Sequence, residues 1–177
     1  MPQIAPVHPE AAHPEAAATL AAVRKKLGTL PNLFTTLAHA PAALNGYVRL
    51  QETLAKGRLS ARQREIVALA VGQVNACQYC LSAHTLLGRG AGLSDDEVTL
   101  ARRGQGHSAQ DAAVARLSQQ LVSTRGALPA GALLEARSAG VDDGLVLEVV
   151  AHVALNVLTN YTNHVAGTDV DFPVVEV

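Results

Sequence analysis

The stretch EIVALAVGQVNA, residues 65–76, constrains the fold more than any other part of the chain. Ahead of it, Ser60-Ala61-Arg62-Gln63 has the form of a capping box, so a helix is expected to open there. At about 100° per residue this helix is apolar on nearly every face, which places it at the centre of a helical core. One residue breaks the pattern. Glu65 shares an angular face with Ala68, Leu69, Gly72 and Ala76, and a carboxylate among small apolar neighbours needs a reason.

Composition agrees with packed helices. Hydrophobic residues make up 49% of the 177 residues and aromatics 3%, so Ala, Leu and Val carry the packing. A β-sandwich would draw on more aromatic and β-branched side chains, and an all-α fold is expected. The length suits one domain over residues 1–177 with a real core. The net charge is −1 and no basic block occurs, which disfavours nucleic acid as a partner. The N-terminal residues have no charged region followed by an apolar run, and the longest apolar stretches are interrupted by His, Asn or Gln. The chain therefore reads as a soluble, cytoplasmic protein with no signal peptide and no membrane span.

The remaining punctuation gives further helices. The Pro-rich residues 1–8 are expected to be mobile, and a helix spans about 9–27 before Gly28. Pro31-Asn32-Leu33-Phe34 reads as a turn, and Pro41 opens a helix to about Lys56. Residues 77–87 form another helix with Cys77 in its first turn, ended by Gly88, Gly90 and Gly92. Ser94-Asp95-Asp96-Glu97 is a second capping box, and Ser108 starts the next helix. Pro129 opens a helix ending near Gly140, a long central helix covers 142–165, and 168–177 is an extended tail. A weak internal repeat appears at a shift of 83 residues. It lays Glu65-Ile66-Val67-Ala68 on Glu148-Val149-Val150-Ala151, Cys77 on Asn160 and Cys80 on Asn163, as two related helical halves would.

The chemistry-bearing residues cluster at one place. The chain has two cysteines, Cys77 and Cys80, and a disulfide across so short a loop would constrain little of the unfolded chain. Cys77, Cys80 and His84 are spaced i, i+3, i+7 and fall within about 60° of arc on a helix. His84 is the i+4 neighbour of Cys80, where an imidazole takes the thiol proton or steadies the thiolate. Glu65, from the preceding helix, is read as packing against this face, where a partly buried carboxylate can shuttle protons. Two other readings stay open at this level: buried core cysteines, and a zinc site that lacks an obvious fourth ligand. Haem attachment would need His directly after the second Cys, where Leu81 stands, and a thioredoxin fold would need strands. Of the other histidines, His8, His13 and His107 are expected at the surface, and His39 at a helix end. His152 is read as a hydrogen-bonded core residue, and His164 as a tie between halves or subunits.

Glu65, eleven residues, Cys77-Gln78-Tyr79-Cys80, three residues and His84 together resemble the E-x11-C-x-x-C-x3-H signature of AhpD-like alkylhydroperoxidases, within the carboxymuconolactone decarboxylase superfamily. LPNLFTTLAHAPAAL and ALNVLTNYTNHVAGTDVDFP resemble the peroxidase-related branch, so the likeness runs from about residue 28 to 173. It departs at Tyr79, where the alkylhydroperoxidase type carries His. The resemblance implies an all-α fold, a homo-oligomer built as a trimer or hexamer, and a peroxidase that depends on the cysteine pair and no cofactor. It implies Cys80 as the peroxidatic cysteine, Cys77 as the resolving one, and Glu65 and His84 as the proton relay. A peroxide would be the substrate and an external, lipoamide-like dithiol the reductant. Decarboxylation is disfavoured, since lactone decarboxylases of the superfamily lack this cysteine pair; a non-catalytic redox sensor and a metal-binding protein are the rivals.

Two physical arguments compete over the nucleophile. Cys77 is expected nearer the helix N-terminus and the surface, which favours a low thiol pKa and attack by a bulky reductant. Cys80 has the imidazole, and peroxide cleavage needs a proton delivered to the leaving oxygen as well as a thiolate, which favours Cys80.

Overall fold

The helix opened by Ser60 is the hub of the computed structural model, which describes residues 1–177. It runs Ala61–Val74 and is preceded by α1 (Pro14–Leu27), α2 (Asn32–Leu37) and α3 (Pro41–Leu54), which makes it α4. After it come α5 (Gln78–Gly90), α6 (Asp95–Arg102), α7 (Ala109–Ser123), α8 (Ala132–Ser138) and α9 (Asp143–Ala166). A short 3-10 turn, Pro9–Ala11, precedes α1, and no strand is present, so the all-α expectation holds. The capping box forms in both directions: Gln63 N–H donates to Ser60 Oγ at 3.2 Å, and Ser60 N–H donates to Gln63 Oε1 at 3.1 Å. Ile66 to Gly72 are buried without a break, and α4 packs against α5, α6, α7 and α9. An all-round apolar helix has no face to spare for water.

Two apolar clusters divide the core. One gathers α4, α7 and α9 around Val67, Leu69, Val71, Val114 and Val149. The other joins α1, α2 and α3 to the cysteine region through Leu20, Phe34, Leu44 and Tyr47. Burial of this kind contributes on the order of 1.5–3 kcal/mol for each large apolar side chain. The tail lies across the second cluster. Asp171 Oδ2 accepts from Asn32 N–H at 2.8 Å, Phe172 meets the Tyr79 ring edge-on at 5.5 Å, and Val175 N–H donates to Ser82 Oγ at 3.0 Å. At the other terminus, Gln3 and Ile4 both donate to the Ala166 carbonyl.

Several boundaries differ from the sequence reading, each for a local reason. Asn32–Leu37 is a helix rather than a turn, and all of Leu33–Leu37 is buried, so packing supplies what six residues of propensity cannot. Gly88 does not stop α5, which continues to Gly90. A Cβ at Gly88 would lie 3.0 Å from Leu93 Cδ1, so glycine there leaves room for the buried Leu93 side chain that folds back after the helix. The Pro129 segment becomes helical only at Ala132, after Gly131 at φ 86°. Helix α9 is central on one face only: Leu147, Val150, Leu158, Tyr161 and Val165 are exposed on the other. By length and composition α9 alone could cross a membrane; here its inner face is a wall of the core. The repeat does not carry through in detail, because residues 75–77 break α4 from α5 whereas the matched residues 158–160 lie inside continuous α9.

Candidate active site

The turn between α4 and α5 sets the position of both sulfurs. Cys77 N–H donates back to the Gly72 carbonyl at 2.9 Å, and Ala76 takes φ 52° to allow it. This is the left-handed residue that ends a helix, a place where glycine is usual and alanine is strained. The sharp turn makes Cys77 the N-cap of α5 rather than a residue of its first turn. Its Sγ accepts from Cys80 N–H at 3.4 Å. Cys80 therefore occupies the first turn, where the helix dipole acts on it. The helix terminus thus bears on both sulfurs, through the Cys80 N–H given to Cys77, while the imidazole charge acts on Cys80.

The sulfurs are free thiols 2.7 Å apart, with Cys77 Sγ–H donating to Cys80 Sγ. Cys77 is 1% exposed and Cys80 3%, so Cys77 does not lie nearer the surface as expected. The donated Cys77 hydrogen bond, the His84 charge, and the Asn163 and Asn160 amides outweigh burial and bring the Cys80 thiol down to about 6. The same hydrogen bond, together with burial, pushes Cys77 up, so it stays protonated. The arrangement favours the anion on Cys80, with Cys77 as its donor.

Glu65 and His84 meet across the α4–α5 contact, with His84 Nδ1 2.8 Å from Glu65 Oε2. Both are largely buried, with 23% of the His84 side chain and 19% of the Glu65 side chain exposed. Burial opposes a charge on His84, yet the Glu65 carboxylate and Cys80 outweigh it, so the imidazole titrates above its ordinary value. With Nδ1 committed to the carboxylate, Nε2 is the ring atom free for proton transfer. The structure thus brings together Glu65, Cys77, Cys80 and His84, all four residues picked out by spacing.

Other side chains at the site carried no local signal. Tyr47 of α3 is buried among the same cluster, and burial, then Cys80 and Glu65, raise its phenol. Asn163 Nδ2 donates to Cys80 Sγ at 3.3 Å, and Asn75 Nδ2 donates to Asn160 Oδ1 at 2.8 Å. His164 Nε2 lies 2.8 Å from the Asn75 carbonyl and ties α9 to the cysteine turn. Tyr79 serves the scaffold: its hydroxyl accepts from Leu33 N–H at 3.1 Å. His152 is a buried core residue as read: burial lowers its pKa, a hydrogen bond to the Leu54 backbone works the other way, and its Nε2 has no partner. His39 lies past the end of α2, with Nε2 2.8 Å from the Ala5 carbonyl. No three His, Cys, Asp or Glu side chains are grouped to hold a metal ion.

Comparison with known proteins gives relatives in sequence and in fold. Residues 41–121, from α3 into α7, match the carboxymuconolactone decarboxylase family. An alkyl hydroperoxide reductase of Mycobacterium tuberculosis is 34% identical over 93 residues, 52% of this chain and 27% of that protein. The match thus spans about a quarter of that relative's length. A peroxidase-related protein from Ralstonia eutropha with an alkylhydroperoxidase AhpD core superposes at TM-score 0.86 with 19% identity, over 96% of this chain and 92% of the other. A second peroxidase-related protein, from Silicibacter, gives 0.79 at 19% identity over 94% and 92%. A debrominase crystallised with 2,3,4-tribromopyrrole gives 0.80 at 15% identity over 96% and 91%, a likeness of fold.

Proposed function

We propose that this chain, which carries a carboxymuconolactone decarboxylase family domain on an AhpD-like fold, is a thiol-dependent peroxidase that reduces hydrogen peroxide or alkyl hydroperoxides. The observation that carries the reading is a pair of adjacent buried thiols beside a carboxylate-bound imidazole. The Cys80 thiolate attacks the terminal peroxide oxygen, the S–O bond forms and the O–O bond breaks. The imidazolium of His84, held by Glu65, gives its proton to the departing alkoxide, which leaves as alcohol or water. Cys77 then condenses with the Cys80 sulfenic acid, water is released, and the Cys77–Cys80 disulfide remains. An external dithiol, lipoamide-like by analogy, reduces it through a mixed disulfide. Both sulfurs are buried, so the oxidised turn must open toward the reductant.

The protein acts in the cytoplasm as a homo-oligomer, a trimer or hexamer. The exposed apolar residues of α9 support assembly, since Leu147 is 68% and Val165 65% exposed on a single chain. The experiment that tests the function counts free thiols and bound metal before and after peroxide, then follows turnover with a dithiol donor. A metal-free protein that loses two thiols per chain and turns over fits the proposal. Stoichiometric zinc would make it a metal-binding module, and a disulfide without turnover a redox sensor.

A further inference from the structure

Ten polar side chains are buried in this protein, and five of them line one face of α9: His152, Asn156, Thr159, Asn160 and Asn163. Two of the five satisfy themselves within the helix. Asn156 Nδ2 donates to the His152 carbonyl, and Thr159 Oγ1 donates to the Asn156 carbonyl. The two amides one turn apart at the C-terminal end behave differently. Asn160 uses its Oδ1 to accept from Asn75, and its Nδ2, near enough to Cys80 to favour the thiolate, has no partner at hydrogen-bond distance. Asn163 uses Nδ2 on Cys80 and leaves Oδ1 without a partner, although only 5% of the residue is exposed. A buried acceptor without a donor is costly, and its presence beside a reactive sulfur calls for a ligand that supplies the donor.

We propose that Asn163 is a catalytic residue: its Nδ2–H holds the Cys80 thiolate, and its free Oδ1 accepts the O–H of the hydroperoxide. This rests on the peroxidase reading and names the group that orients the substrate. A hydroperoxide has one or two O–H donors and no other polar hydrogen, so a single buried carbonyl oxygen next to the sulfur recognises the end that is attacked. In the step, the Cys80 sulfur takes the hydrogen-bearing oxygen, the O–O pair goes to the alkoxide, and the alkoxide is protonated by His84. The hydrogen bonded to Oδ1 stays on its oxygen and becomes the sulfenic O–H, so Asn163 keeps the same bond from reactant to product. Aspartate would not serve here, because a carboxylate 3.3 Å from the sulfur would repel the thiolate.

The titratable groups facing Cys80 are Cys77, Tyr79 and His84 from its own segment and Tyr47 from α3, with Glu65 of α4 behind His84. Asn163 is uncharged, so its removal changes the Cys80 titration only through the lost hydrogen bond. That separates it from the others.

The test uses the full-length reduced protein with Asn163→Ala, and Asn163→Ser as a second variant in case the first fails to fold, both checked for helix content. The Cys80 titration is followed by thiolate absorbance. Single-turnover rates are then measured with tert-butyl hydroperoxide and with iodoacetamide at a pH above the titration midpoint. We expect the midpoint to rise by about 1 or more on the pH scale, as loss of a donor to an anion implies. Above that midpoint the hydroperoxide rate should stay down by roughly tenfold or more while alkylation matches wild type to within about twofold, as loss of a substrate-orienting hydrogen bond implies. An unmoved midpoint, or equal losses with both reagents, overturns the proposal. Wild-type protein that reacts with iodoacetamide and leaves the hydroperoxide intact overturns the peroxidase reading beneath it, before any variant is made.

Discussion

Glu65→Gln removes one charge from the relay and keeps its shape. In the folded protein His84 titrates above the ordinary imidazole value of 6.5, because the Glu65 carboxylate and Cys80 outweigh the burial that works against them. The contact is 2.8 Å long, and neither side chain is more than a quarter exposed, so solvent screens it weakly. A charge-assisted hydrogen bond of this kind is worth roughly 1.5–3 kcal/mol, and about 1.4 kcal/mol corresponds to one pH unit. Glutamine should therefore lower the His84 midpoint, because burial then acts with no carboxylate to oppose it. The linked stability has a definite sign. A raised histidine pKa stabilises the fold fully below the unfolded value and loses that effect as pH rises through the folded one, so the variant's deficit should shrink above neutrality. The assay is a His84 titration by NMR on both proteins, with the rate of peroxide consumption measured at neutral pH. That rate should fall roughly tenfold or more, because a neutral imidazole neither steadies the thiolate nor supplies the proton. An unchanged His84 midpoint would refute the reasoning, and an unchanged rate with a lowered midpoint would remove His84 as the acid.

Ala76→Gly should stabilise the protein by about 1 kcal/mol in chemical denaturation, because φ 52° strains alanine and not glycine; a loss of stability would contradict the strain. The Cys80 thiol in a Cys77→Ser variant should titrate well below an ordinary cysteine, near the wild-type value of about 6, since serine keeps a hydroxyl donor at the cap. Thiolate absorbance against pH reads this directly, and a midpoint at the free-cysteine value would count against the site's electrostatics. Leu147→Glu with Val165→Glu, on the exposed face of α9, should convert the assembly to chains of 18.4 kDa by light scattering. A single-chain mass for the unaltered protein would end the oligomer proposal.

What could be read from the sequence was local. Cys77, Cys80 and His84 sit within two turns, and the capping boxes at Ser60 and Ser94 each span four residues, so helical periodicity alone places them. The exact role of Cys77 was hidden, because its place as a cap depends on the left-handed Ala76, a residue type that gives no turn signal. Gly88 misled for the opposite reason: glycine is a poor helix former, and the close Leu93 side chain explains its presence inside α5. Asn163, Asn160 and Tyr47 reach the sulfurs from α9 and α3, across sequence separations that no local pattern encodes. The one trace was the shift of 83 residues that laid the two asparagines on the two cysteines, a correspondence in sequence that the fold turns into proximity.

The central claim is that Cys80 is oxidised by peroxide and Cys77 resolves it. One dose of peroxide followed by a sulfenic-acid trap and peptide mass analysis tests this most directly, on Cys77→Ser and Cys80→Ser side by side. The account predicts trapped sulfenic acid at Cys80 in the first variant and unreacted peroxide with the second. Oxidation of Cys77 at an undiminished rate in Cys80→Ser would contradict it, and the roles given to Glu65, His84 and Asn163 would fall with it.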